Sequence, residues 1–144
     1  MGGVQFVGVR FRNISIPRGA VIHAAWLQFQ ADRAETVTSS LLIRGQASDN
    51  ANAFTSSYFN LSSRPRTAAS VPWAPPPWLV AGESSMAQRT PDLTGIVQEI
   101  VNRAGWTSGN AMVFLISGSG ARFAESFEGG AFAAPRLRIE YTEP

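Results

Sequence analysis

Thr90-Pro91-Asp92-Leu93-Thr94-Gly95-Ile96-Val97-Gln98-Glu99-Ile100-Val101-Asn102-Arg103-Ala104-Gly105 carries the clearest helical pattern in the chain. Thr90 is an N-cap type, Pro91 suits the first helical position, and Asp92 suits the positive end of a helix dipole. Leu93, Ile96, Val97, Ile100 and Val101 then recur at i, i+3, i+4, i+7 and i+8, which is one apolar stripe. Thr94, Gln98, Glu99, Asn102 and Arg103 face the other way, and Gly105 is placed to stop the helix. The spacing predicts one amphipathic helix over about 91–103. Its stripe needs a surface to cover, and the rest of the chain supplies strands.

Outward from the helix, Ala111-Met112-Val113-Phe114-Leu115-Ile116-Ser117 is apolar on both faces, as a central strand is when covered on each side. The expected covers are the helix on one face and a second sheet on the other. Val7, Val9 and Phe11 alternate with Gly8, Arg10 and Arg12, and Leu137, Ile139 and Tyr141 alternate with Arg136, Arg138 and Glu140. From Ala20 to Gln30 the alternation places Val21, His23, Ala25, Leu27 and Phe29 on one face. Trp26, Gln28 and Gln30 lie on the other, which is expected to meet a second buried surface. Leu41 and Ile43 point inward from Ser40 to Ala47, and Arg122 to Phe127 reads as a further strand. Phe54, Tyr58, Phe59 and Leu61 read as a helical turn or packed loop. The run Val71-Pro72-Trp73-Ala74-Pro75-Pro76-Pro77-Trp78 cannot be a central strand, because proline donates no ladder bond. Short strands, Gly/Pro turns and one helix predict an all-β fold, a jelly-roll-like antiparallel β-sandwich, with residues 1–144 as one domain.

Composition narrows the chemistry. The twelve basic residues are all arginine, and they are dispersed, so no basic stripe for nucleic acid appears. Absence of lysine rules out Schiff-base chemistry, and absence of cysteine rules out thiol catalysis and thiolate metal sites. No apolar run approaches the length of a membrane span, so membrane insertion is not expected. His23 is the one histidine and sits in an apolar strand, as an edge-strand or buried side chain would. Glu125 and Glu128 lie near a strand end, but scattered acids do not define the facing pair a glycosidase needs. A non-catalytic protein is expected.

Three stretches share a family likeness. They are Val9-Arg10-Phe11 with Ile16-Pro17-Arg18-Gly19-Ala20-Val21-Ile22 and Ala25-Trp26-Leu27-Gln28-Phe29; the helix Asp92 to Asn102 running into the apolar strand; and Ala124-Glu125-Ser126-Phe127 with Ala134-Pro135-Arg136-Leu137-Arg138-Ile139-Glu140-Tyr141. Together they resemble the jelly-roll, carbohydrate-binding-module-like domains of secreted bacterial proteins called DNRLRE domains. The resemblance implies a secreted, extracellular accessory module that binds polysaccharide, although Met1 to Val4 shows no signal-peptide features. It also implies one or two further strands before Val9. An edge without them invites homo-oligomers by strand pairing, so a structural or adhesive subunit that assembles through an open N-terminal edge is the alternative.

Trp73 and Trp78, with Tyr58, are the candidate aromatic platform for sugar rings, and Arg64, Arg66 and Arg89 are candidate partners for hydroxyls or carboxylates. The competing role for both tryptophans is to plug the gap between the sheets. Asp49, Asn50 and Asn52 form an oxygen-rich turn suited to its own backbone or to a structural calcium ion, without the EF-hand spacing.

Overall fold

The computed structural model describes residues 5–54, 62–122, 124 and 134–144. Tyr58, Phe59, Leu61, Glu125 and Glu128 lie outside the described residues, as does most of the strand expected from Arg122 to Phe127. Among the described residues six strands and one α-helix form an antiparallel β-sandwich: β1 (Gln5–Phe11), β2 (Val21–Gln28), β3 (Ser40–Gln46), β4 (Arg66–Trp73), α1 (Thr94–Val101), β5 (Met112–Ser119) and β6 (Arg136–Thr142). One sheet runs β1-β5-β3-β4, and the other pairs β2 with β6. β5 is central, as its two-sided apolar run predicts. β4, which carries Pro72, stands at an edge, where a missing N–H costs no ladder bond.

The larger sheet turns Val9, Phe11, Leu41, Ile43, Met112, Phe114 and Ile116 inward against Ile22, Ala25, Leu27, Leu137 and Ile139 of the smaller one. The helix belongs to that second layer. Its buried Ile96, Val97, Ile100 and Val101 pack with β2, β3 and β4. The outer face of β5 is therefore not covered as expected, because helix and second sheet lie on the same side. Val113 and Leu115 instead pack against Ala51, in a loop tied down by its neighbours. Ala51 N–H donates to Ala111 O at 3.1 Å, and Arg10 Nε donates to Ala51 O at 3.0 Å.

Two local readings are corrected. A β-bulge between Ile22 and Ala24 inserts one residue, so Ile22 turns inward while Val21 and His23 turn to solvent. The helix is also shorter than 91–103, because Thr90 to Leu93 serves β2 instead. Thr90 N–H donates to Leu27 O and Leu27 N–H to Thr90 Oγ1, both at 3.0 Å. One step along, Leu93 N–H donates to Ala25 O at 2.6 Å and Ala25 N–H to Asp92 Oδ1 at 3.0 Å. From the helix, Gln98 accepts from Ile22 N–H and donates to Ala20 O. Thr90 and Asp92 are thus not helix caps; they and Gln98 finish the hydrogen bonding of a strand edge.

Glu99 does the same on the opposite flank. Its two carboxylate oxygens accept from Ala68 and Ala69 N–H, each at 2.9 Å, on the free side of β4. Adjacent helix residues therefore seal one edge in each sheet. Glu99→Ala leaves two backbone donors without their charged acceptor, so a denaturant melt is expected to show a loss of about 1–3 kcal/mol. An unchanged midpoint would show that water replaces the carboxylate at no cost.

Candidate functional site

Five of the six residues expected to bind sugar are described, and these five do not gather at one place. Trp73 ends β4 pointing inward, is 7% exposed, and stacks on Phe29 with ring centroids 6.0 Å apart. Trp78 is 1% exposed, donates from Nε1 to Ala87 O at 2.9 Å, and exchanges backbone bonds with Glu35. Both rings wall a cleft of about 380 Å³ between the sheets, shared with Val7, Leu41, Ile116 and Arg122. A sugar platform needs an open ring face, and these two rings are packed as core.

The arginines divide likewise. Arg64 lies beside outward-facing Gln46, donating to Gln46 Oε1 at 2.7 Å and to Asn52 O and Ala53 O at 2.8 Å. Its guanidinium covers the Phe54 ring at 4.8 Å, and burial, reinforced by the charge of Arg10, lowers its pKa. It fastens a loop. Arg66 donates to Ser62 O. Tyr58 lies outside the described residues. Arg122, near Glu35, donates to Val37 O, Pro75 O and Pro76 O and so holds the proline-rich crossing in place.

The oxygen-rich turn is also engaged. Asp49 Oδ1 accepts from Arg103 Nε at 2.7 Å, so one of its carboxylate oxygens is paired with a guanidinium. Asn50 Oδ1 accepts from Ala111 N–H, and Asn52 O accepts from Arg64. Among the described residues no three His, Cys, Asp or Glu side chains converge as metal ligands. His23 is exposed on the bulge, 3.0 Å from Thr142 Oγ1.

Arg64 and Arg89 each meet an accessible aromatic ring: Arg64 covers Phe54, which is 38% exposed, beside a loop, and Arg89 meets Trp26 on a sheet face. Trp26 points out of the smaller sheet, opposite Arg138 on β6, and is half-buried. The Arg89 guanidinium lies 4.8 Å from its ring centroid and that of Arg138 lies 5.8 Å away. Arg89 Nε also donates to Gln28 Oε1 at 3.0 Å, and Gln28 Nε2 donates to Ser85 O at 2.9 Å. These bonds fix the guanidinium beside the ring. Arg136 pairs with Gln28 in the ladder and borders a shallow hollow of about 220 Å³ with Gln30, Ser84 and Ala134. Glu140 lies 3.7 Å from Arg138. The face is aromatic at its centre and predominantly basic.

Sequence reasoning placed Trp26 on the correct face but expected that face to be covered. Arg138, its ladder partner, and Arg136, the partner of Gln28, stand on one face in the alternation of β6. Their pairing with Trp26 and Gln28 depends on strand register, which periodicity alone does not give.

The chain matches no protein-family model, no curated protein and no solved structure. Among the described residues no helix is long and apolar enough to cross a membrane.

Proposed function

We propose that this domain is a non-catalytic carbohydrate-binding accessory module of a secreted bacterial protein, with its ligand on the outer face of β2 and β6. The supporting observation is Trp26 set between Arg89 and Arg138, with Gln28 and Arg136 alongside. Sugar rings present apolar C–H faces that pack on an aromatic ring, while guanidinium forks donate two parallel bonds to a carboxylate or to adjacent hydroxyls. Held against the ring, the arginines surrender little side-chain entropy when they take a ligand. The basic balance favours an acidic polysaccharide over a neutral one.

Affinity gels cast with polygalacturonate or with dextran test this reading. Wild-type protein is expected to be retarded by the acidic polymer, and Trp26→Ala and Arg89→Ala to lose at least tenfold in affinity with nearly unchanged thermal melts. Wild-type retention by both variants would remove this face as the site.

A structural or adhesive subunit is the second reading. It is favoured by the position of β1 at the end of its sheet, with Val7 48% exposed beside an edge that pairs with no strand among the described residues.

A further inference from the structure

The four sheet edges are not treated alike. The free side of β2 is closed by Thr90 to Leu93 and by Gln98, and that of β4 by Glu99 at Ala68 and Ala69 and by Pro72, which has no N–H. Among the described residues no such device protects β6, and its second edge pairs with no strand. The strand holds no proline, and the extra residue of the bulge belongs to β2.

Hydrogen bonding on β2 fixes which atoms of β6 are free. Ala25 and Leu27 spend both backbone groups on Thr90, Asp92 and Leu93. Their neighbours Ala24, Trp26 and Gln28 therefore bond to β6, opposite Glu140, Arg138 and Arg136. Alternation then turns the N–H and C=O groups of Leu137, Ile139 and Tyr141 toward the open edge. Leu137 and Ile139 pack against the core, and Tyr141, next on the same face by alternation, is 37% exposed.

We propose that this edge pairs with β6 of a second copy of the chain, antiparallel about a two-fold axis at Ile139. Such an axis sets inward residues opposite inward ones, so the axis passes through a residue. At Arg138 it would set that arginine against itself, and at Glu140 it would oppose two glutamates. At Ile139, Arg138 faces the partner's Glu140 and Glu140 faces the partner's Arg138, while Leu137 faces the partner's Tyr141. Leu137, Ile139 and Tyr141 then exchange both backbone bonds with their counterparts. The Arg–Glu pairs fall at the non-hydrogen-bonded positions, where opposite side chains come closest. Charge complementarity thus selects both the partner and the register. Exposed ion pairs contribute modestly, so they set alignment while the backbone bonds and the apolar side chains hold the dimer. The pairing stands whether or not the outer face binds glycan; if it does, two Trp26 clusters share one continuous surface.

Light scattering on eluting protein, with melts to check folding, tests the pairing. Wild-type protein is expected to approach twice the chain's 15.5 kDa as concentration rises. Arg138→Glu and Glu140→Arg each weaken association at least tenfold, and the double variant carrying both recovers it. A wild-type monomer up to about 1 mM, single variants that remain dimeric, or a double variant that stays monomeric would each overturn the proposal. Single variants that remain dimeric would instead favour association through β1. None of these outcomes depends on polysaccharide, so the glycan reading stands or falls separately in the gels.

Discussion

Replacing Gly45 by valine is expected to abolish the cooperative unfolding transition, and alanine to lower stability by about 2–3 kcal/mol. Gly45 lies on β3 directly under the helix. A Cβ there would come within 2.7 Å of Ile96 Cγ2 and Ile100 Cδ1, and 3.2 Å of Thr67 Cγ2. The Ile100 methyl ends a flexible side chain and can rotate away. Ile96 Cγ2 sits on a β-branched carbon with one strongly preferred helical rotamer, so the helix itself must lift. A side chain in place of glycine within a strand returns only about 0.5–1 kcal/mol of backbone entropy, which the overlap exceeds. Lifting the helix also draws Gln98 from β2 and Glu99 from β4, so one methyl disturbs both sheets. Valine adds two further methyls to a domain whose whole stability is about 5–15 kcal/mol. A double-mutant cycle with Ile96→Ala isolates the contact. The alanine pair is expected to cost at least about 1 kcal/mol less than the sum of the single changes, and strict additivity in denaturant melts would show that helix and strand do not meet as described.

The legible part of the fold was the part that repeats locally. The stripe Leu93, Ile96, Val97, Ile100 and Val101 is fully inside, and the alternation of Leu137 and Ile139 with Arg136, Arg138 and Glu140 holds. Thr90 and Asp92 look like helix caps because nothing within a few residues says otherwise. Their acceptor roles depend on Leu27 and Ala25, more than sixty residues away in the chain. One extra residue at His23 reverses the facing of Val21 and Ile22, and a period-two pattern carries no mark of such a bulge. The site was obscured for a related reason. Prolines around Trp73 and Trp78 stiffen a surface platform and a buried crossing equally well, and only their burial separates the two. Trp26 gains its arginines through the register of β2 against β6 and through Arg89, which arrives from a distant loop.

Trp78→Ala therefore becomes the sharpest division between the two roles considered for that ring. As core, the truncation is expected to cost about 3–5 kcal/mol, the range for emptying a buried aromatic site, and to lower the thermal midpoint by at least about 10 °C. The ring is among the largest fully buried side chains, and its Nε1 bond to Ala87 O would be lost with it. Trp78→Phe keeps most of the volume and forfeits that bond, which predicts a smaller loss of about 1–2 kcal/mol. Trp73→Ala should fall between, because Trp73 is 7% exposed against 1% for Trp78 and leaves less newly buried empty space. The polysaccharide gels give the other half of the test. A partly destabilised Trp78→Phe protein that remains folded should migrate as wild type, since the ring belongs to the core cluster. The opposite pattern, an unchanged melt with lost retardation, would mean that the cleft opens to ligand and that Trp73 and Trp78 form the binding surface. The magnitudes make confusion between these outcomes difficult: a buried indole cannot be removed without a large thermal shift, and an exposed stacking platform can.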